Sequence, residues 1–203
     1  TSTNSSIGLI YALKKIFMKK KKILFLGYTR KDTDLIKFLR ARKCIVVENG
    51  QKHLFLKDIK NYDLILSYGY RKLIKKKFLD ILPRPPINLH LSYLPYNKGS
   101  HPNYWSFKEK TPAGISIHEV DSGIDTGRVI FRKKIKFKNN QKLTLQNTYA
   151  SLKKEMMKLF VYNFKKILNN NYKSFKPLGK GTFHKKKELP KAIKNWDKKI
   201  SEI

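Results

Sequence analysis

Acidic residues are scarce in this chain: 14 Asp and Glu stand against 46 Lys and Arg, leaving a formal charge of +32 over 203 residues. So large an excess implies long-range attraction for anions, whether phosphorylated small molecules, nucleic acid or an acidic membrane. Arginine is also sparse, limited to Arg30, Arg40, Arg42, Arg71, Arg84, Arg128 and Arg132. Base-specific readers rely on bidentate arginine contacts, and no arginine-rich arm or recognition helix is present. A solvated lysine-rich surface is expected, with no specific nucleic-acid partner. The single cysteine, Cys44, excludes an intramolecular disulfide and is expected as a buried strand thiol, as suits a reducing cytoplasm. No Cys/His cluster has metal-ligand spacing, so no metal is expected. Long apolar runs are missing too. Ile7 to Phe17 gives eleven apolar-rich residues, against about 20 for a bilayer span. The basic block Lys19 to Lys22 follows that run, the reverse of a signal peptide. Residues 1–17 are therefore expected to be an N-terminal extension without a transmembrane segment, and Met18 reads as a natural start.

What is present is an α/β pattern, in a chain whose 40% hydrophobic and 12% aromatic content excludes wholesale disorder. Ile23-Leu24-Phe25-Leu26-Gly27 is a continuous apolar run of the kind that forms a strand buried on both faces. Asp32 or Thr33 is placed to cap a helix carrying Leu35, Ile36 and Leu39. Further strands are expected at Cys44–Val47, 63–69, Ile87–His90, 114–120 and 129–137. Leu145, Tyr149, Leu152, Met156, Leu159, Phe160, Phe164 and Ile167 recur at helical spacing and read as a core-facing stripe. Buried strands alternating with helices predict a Rossmann-like, doubly wound, mostly parallel sheet. The expected organisation is a catalytic domain over 18–170 and a basic C-terminal appendage over 171–203.

Two segments carry chemistry. In Asn88-Leu89-His90, alternation sends the amide and the imidazole to one side of a strand, at the edge where open α/β sheets bind ligands. An amide can donate to a developing oxyanion and an imidazole can carry a proton; a buried Asn/His pair satisfying the local backbone is the alternative. Asp121-Ser-Gly-Ile-Asp-Thr-Gly127 is a tight turn whose glycines let main chain approach a flat ring and whose Asp125 is a fixed carboxylate. By itself, an Asp/Gly turn is a common structural element.

Taken together, the run from Ile87 through Leu94-Pro95 to Gly99, then Thr111-Pro-Ala-Gly-Ile-Ser-Ile-His118, and then Asp121 to Gly127, resembles the folate-dependent formyltransferases. The resemblance extends from Met18 to about Phe137. It implies a catalytic set at Asn88, His90 and Asp125, with 10-formyltetrahydrofolate as formyl donor. A folate pocket is implied between Tyr70, Arg71, Lys72, Leu73 and Ile74 on one wall and Asp121, Ser122 and Gly123 on the other. For an amine attacking a formyl carbon, Asn88 and a protonated His90 would stabilise the oxyanion. Asp125 would hold His90 and accept the amine's proton.

Three acceptors compete. No glycine follows Gly27 closely, so the backbone cradle for a ribose phosphate, expected of glycinamide ribonucleotide enzymes, is missing. Methionyl-tRNA enzymes resemble a longer chain with a C-terminal barrel, for which the residues beyond Leu168 are too few. The loop from Ser92 to Ser106 and the segment Gly181 to Leu189 look like those of sugar N-formyltransferases, which act on nucleotide-linked amino sugars for surface polysaccharides. On that resemblance Tyr93, Asn97, Lys98, His101, Tyr104, Trp105, His184 and Lys185 are candidate substrate residues. His118 is read as structural, and His53 carries no argument. A cytoplasmic enzyme is expected, with the long helix and basic tail offering a homodimer surface. The remaining alternative is a basic, non-catalytic Rossmann-like module for an anionic polymer.

Overall fold

The computed structural model describes residues 20–137, 142–191, 193 and 196–203; the N-terminal extension expected at 1–17 lies outside them. Six strands form one sheet in the order β2-β1-β3-β4-β6-β7. These are β1 (Lys22–Gly27), β2 (Ile45–Gly50), β3 (Leu64–Tyr68), β4 (Ile87–His90), β6 (Gly114–Glu119) and β7 (Val129–Lys134). β1 to β4 run parallel, whereas β6 pairs antiparallel with β4 and β7 antiparallel with β6. A separate two-stranded sheet joins β5 (Lys98–Gly99) to β8 (Phe183–His184). The result is the expected Rossmann-like, mostly parallel α/β fold.

Helices cover both faces. On one face α5 (Leu145–Leu168) lays Leu152, Met156, Phe160, Phe164 and Ile167 against Ile23, Phe25, Leu66, Ile87, Leu89, Ile115 and Ile117. A fully buried side chain of this size contributes about 1.5–3 kcal/mol relative to exposure, so this layer is the main source of stability. α5 starts at a capping box in which Asn147 N–H donates to Thr144 Oγ1 at 3.2 Å. It stops where the Arg84 guanidinium donates to the Ile167 and Leu168 carbonyls. α1 (Leu35–Ala41) buries Leu35, Ile36 and Leu39 as expected, but its cap position is Asp34, which makes no side-chain cap bond. The opposite face packs Leu24, Leu26 and Ile65 against Leu54, Ile59, Ile74 and Phe78, from the short helices α2 (Leu56–Ile59) and α3 (Lys76–Leu79) and their flanking loops.

Two strand expectations need correction. β2 is a sheet edge with Ile45 and Val47 exposed, and Cys44 is buried just before it begins. An apolar run does not reveal whether a strand has one neighbour or two. β7 ends at Lys134, short of Phe137. The C-terminal segment returns across the domain. Phe175 pairs with Val129, and Leu145 and Gln146 N–H donate to the Lys198 and Trp196 carbonyls.

Candidate active site

β4 delivers Asn88 and His90 to the carboxyl end of the parallel strands. The antiparallel register Asn88↔His118 then sets a second imidazole beside the amide. The turn after β6 supplies the carboxylate. Gly127 lets that turn close against β6, since a Cβ there would meet the Glu119 carbonyl oxygen at 1.7 Å. Asp121 ties the turn internally by accepting from Gly123 N–H at 3.1 Å. Asp125 sits within it at φ 52, a left-handed conformation that Asp tolerates.

Four groups converge on Asp125, whose side chain is 12% exposed. Its Oδ1 accepts from Asn88 Nδ2 at 3.1 Å and lies 3.3 Å from His118 Nε2. Its Oδ2 accepts from Gly99 N–H at 2.8 Å and lies 3.6 Å from His90 Nδ1. His90 Nε2 sits 3.1 Å from the Asn97 carbonyl oxygen, and His118 Nδ1 sits 2.7 Å from that of Glu119. A carbonyl can only accept, so each contact assigns a proton to the ring nitrogen concerned. Burial alone would raise the Asp125 carboxyl, but the adjacent imidazoles of His90 and His118 and the Gly99 amide outweigh it. They hold the carboxyl well below the usual range. Burial pushes the His90 imidazole down, and Asp125 only partly offsets this. At neutral pH the site therefore sets an ionised Asp125 beside a neutral His90. The imidazolium expected at His90 gives way to a neutral ring, because desolvation outweighs the carboxylate.

These groups open onto a cavity of about 860 Å³. Tyr70, Arg71, Lys72, Leu73 and Ile74 all line it, as do Asp121 and Gly123; Ser122 does not. Leu73 and Ile124, 62% and 41% exposed, present apolar surface that the chain leaves uncovered beside the carboxylate. Of the candidate substrate residues, His101, His184 and Lys185 reach the cavity. Tyr93, Asn97, Lys98, Tyr104 and Trp105 do not. Tyr93 lies under the Arg132 guanidinium, 4.4 Å from its ring centre. Asn97 is 1% exposed and bonded to the protein, and Lys98 is taken up in β5. Tyr104 and Trp105 belong to α4 (Pro102–Lys108), which turns its aromatic residues inward. Trp105 stacks on His184, centroids 4.0 Å apart.

The sequence reading missed several residues. His118 is no mere strand residue, since it contacts Asp125. Tyr28, Gln146, Tyr149, Lys186 and Trp196 also line the cavity. Tyr149 belongs to the helical stripe expected to face the core, yet its hydroxyl meets that of Tyr28 at the cavity wall. Only the partner strand's register could have revealed His118. Among the described residues, no group of three or more His, Cys, Asp or Glu is placed to hold a metal ion, and no helix is long and apolar enough to cross a membrane.

Known proteins share this fold and stretches of this sequence. The solved formyltransferase PseJ from Anoxybacillus kamchatkensis superposes with a TM-score of 0.80 at 36% identity, over 89% of this chain and 96% of that one. Its structure contains UDP-4,6-dideoxy-4-formamido-L-AltNAc and tetrahydrofolate. A methionyl-tRNA formyltransferase from Prochlorococcus marinus is 32% identical over 168 residues, 78% of this chain and 50% of that protein. A dTDP-4-amino-4,6-dideoxyglucose formyltransferase from Mycobacterium bovis is 25% identical over 131 residues, 64% of this chain and 54% of that protein. The chain spans about half the length of these curated relatives. The family described as formyl transferase matches residues 28–162, a stretch that starts in the cavity wall, takes in Asn88, His90, His118 and Asp125, and runs into the long helix. By that match and that fold, the chain belongs to the formyl transferase family.

Proposed function

We propose that this protein is a folate-dependent N-formyltransferase that moves the formyl group of 10-formyltetrahydrofolate onto the amine of a nucleotide-linked amino sugar. The observation that carries the reading is the convergence of Asn88, His90 and His118 on the ionised Asp125 at one end of a large cavity. The walls beside this cluster suit a flat ring. Leu73, Ile74 and Val120 are apolar, and Asp121 and Gly123 bring main chain close. The pterin of the donor fits here, between Tyr70–Ile74 and Asp121–Gly123. The same cavity is lined by the cations Arg71, Lys185 and Lys186, by His101, and by Tyr149 and Trp196. Cations suit a diphosphate and aromatic faces suit a base or sugar.

The chemistry assigns each group a task. The amine nitrogen attacks the formyl carbon and the carbonyl electrons move onto oxygen. Asn88 Nδ2 keeps one hydrogen on Asp125 and turns the other, which rests against His118 Nε2 at 3.1 Å, to that oxyanion; removing such a donor costs about 3–4 kcal/mol. His90, neutral at rest and bare at Nδ1, takes the proton released by the amine. It then returns that proton to the departing folate nitrogen as the C–N bond breaks. Asp125 stays ionised and stabilises the transient imidazolium, while Asn88 Nδ2 and the Gly99 amide hold the carboxylate in place. The same proposal puts the reaction in the cytoplasm, in surface polysaccharide synthesis, with the long helix and basic tail as a homodimer surface.

The 36% identity to PseJ over 96% of its chain supports the nucleotide-sugar acceptor. A second reading, transfer to methionyl-tRNA, is favoured by the 32% identity to such an enzyme and by the +32 charge. Incubation with 10-formyltetrahydrofolate and either UDP- or dTDP-linked amino sugars or methionyl-tRNA separates them, with tetrahydrofolate release as readout. Turnover with methionyl-tRNA alone would replace the first reading with the second, and turnover with neither would remove both.

A further inference from the structure

His90 and Asp125 are each held by a main-chain atom of the loop after β4: the Asn97 carbonyl oxygen at His90 Nε2 and the Gly99 N–H at Asp125 Oδ2. That loop is in turn held by a segment more than eighty residues later. Asn97 N–H donates to Thr182 Oγ1 at 2.8 Å, and the Thr182 hydroxyl donates to Asn97 Oδ1 at 3.1 Å. The Thr182 carbonyl accepts from Lys98 N–H at 3.0 Å. Asn97 Nδ2 donates to Thr111 Oγ1 at 2.8 Å, so every polar atom of the Asn97 side chain is engaged. The residue has φ 54, a left-handed conformation that Asn, like Asp, tolerates.

We propose that Thr182, which does not line the cavity, is a positioning residue for formyl transfer: its hydroxyl fixes Asn97, and the Asn97 carbonyl keeps the His90 proton on Nε2, leaving Nδ1 bare beside Asp125. The proposal rests on the formyl-transfer reading of this site. Asn97, named from sequence as a substrate contact, becomes the link between the two. The segment around Thr182 is built to approach closely. A Cβ on Gly181 would meet the Pro95 carbonyl oxygen at 2.1 Å, and one on Gly99 would meet that of His184 at 2.3 Å. His184 anchors the next position. It stacks on Trp105 with planes 8° apart, and its Nε2 lies 3.1 Å from Glu109 Oε1 without hydrogen-bond alignment. The same two-residue pairing that places Asn97 therefore also places Gly99, and with it the Asp125 carboxylate.

The test compares wild type, Thr182→Val and Thr182→Ser in the full chain. It uses steady-state kinetics and long-range proton–nitrogen NMR of the ¹⁵N-labelled imidazoles, with the His90 signals assigned by their loss in His90→Gln. The wild-type His90 ring is expected in the Nε2–H form. Valine keeps the shape and loses both hydroxyl bonds. It is expected to lower kcat about tenfold or more, to leave the KM for 10-formyltetrahydrofolate within about twofold, and to mix the His90 tautomers. Serine is expected to restore both kcat and tautomer. A His90 ring in the Nδ1–H form in wild type overturns the proposal without any variant. So does a valine variant with wild-type kcat and tautomer, or a loss that serine does not restore. Absence of formyl transfer by wild type to any acceptor would instead sink the functional reading, and the tautomer comparison would still judge Thr182.

Discussion

Asp125 accepts hydrogen bonds from Asn88 and Gly99 and faces two imidazoles, so its charge organises the whole cluster. Asp125→Asn keeps the shape and removes the charge. It is expected to lower kcat about a thousandfold or more while tetrahydrofolate binding, followed by fluorescence, stays within about threefold. Retained turnover would show that the carboxylate has no part in the reaction. The acid behaviour follows from the same residues. His90 is lowered by burial below its ordinary 6.5, with Asp125 and His118 as the ionisable groups facing it. A neutral His90 is needed to take the amine's proton, so kcat is expected to fall only below pH 6.5, as the buried ring protonates. Stability moves in the same direction. Between the folded value and 6.5 the unfolded chain binds more protons at this position, so stability drops as pH falls through that window. Asp125, lowered from 3.8, adds a further loss below that value. Thermal unfolding of wild type and His90→Gln across this range checks the first window, which the variant should lack.

The elements that matter most for the site are two of the shortest, β5 and β8. Gly99 takes φ 87 at the point where they touch and donates to Asp125. Gly99→Ala is expected to separate the pair and displace the carboxylate, lowering kcat about a hundredfold with the far-ultraviolet circular dichroism of the large sheet unchanged. This pairing was not legible in the sequence. Two-residue strands leave no periodicity, and nothing local to Phe183-His184 names Lys98-Gly99 as its partner. What was legible had a local cause. The run Ile23 to Gly27 was continuous because β1 is covered on both faces, and Asn88 and His90 shared a face because strand side chains alternate. His118 was read as structural because an isolated histidine on a strand looks the same whether it faces core or carboxylate. Its meaning came from its register opposite Asn88. Tyr149 fitted the helical stripe of α5 but lies where that stripe meets the cavity, a distinction that spacing does not encode.

At the scale of the whole molecule the +32 charge acts over distance. The proposed nucleotide-linked acceptor carries at least two negative charges, and the cavity is lined by Arg71, Lys185 and Lys186. Electrostatic attraction fades over about 8–10 Å at physiological ionic strength. The KM for the acceptor is therefore expected to rise severalfold between roughly 50 and 500 mM salt, while kcat changes little; a salt-independent KM would deny the charge this role. The late position of β8 also bears on the order in which the site is completed. A ribosome releases the parallel core and the Asp125 turn long before it delivers Thr182 and His184. A nascent chain can therefore fold most of its sheet while the imidazole and carboxylate still lack their final orientation. On the proposed function, the chain gains its catalytic geometry only once the segment carrying Thr182 and His184 has emerged.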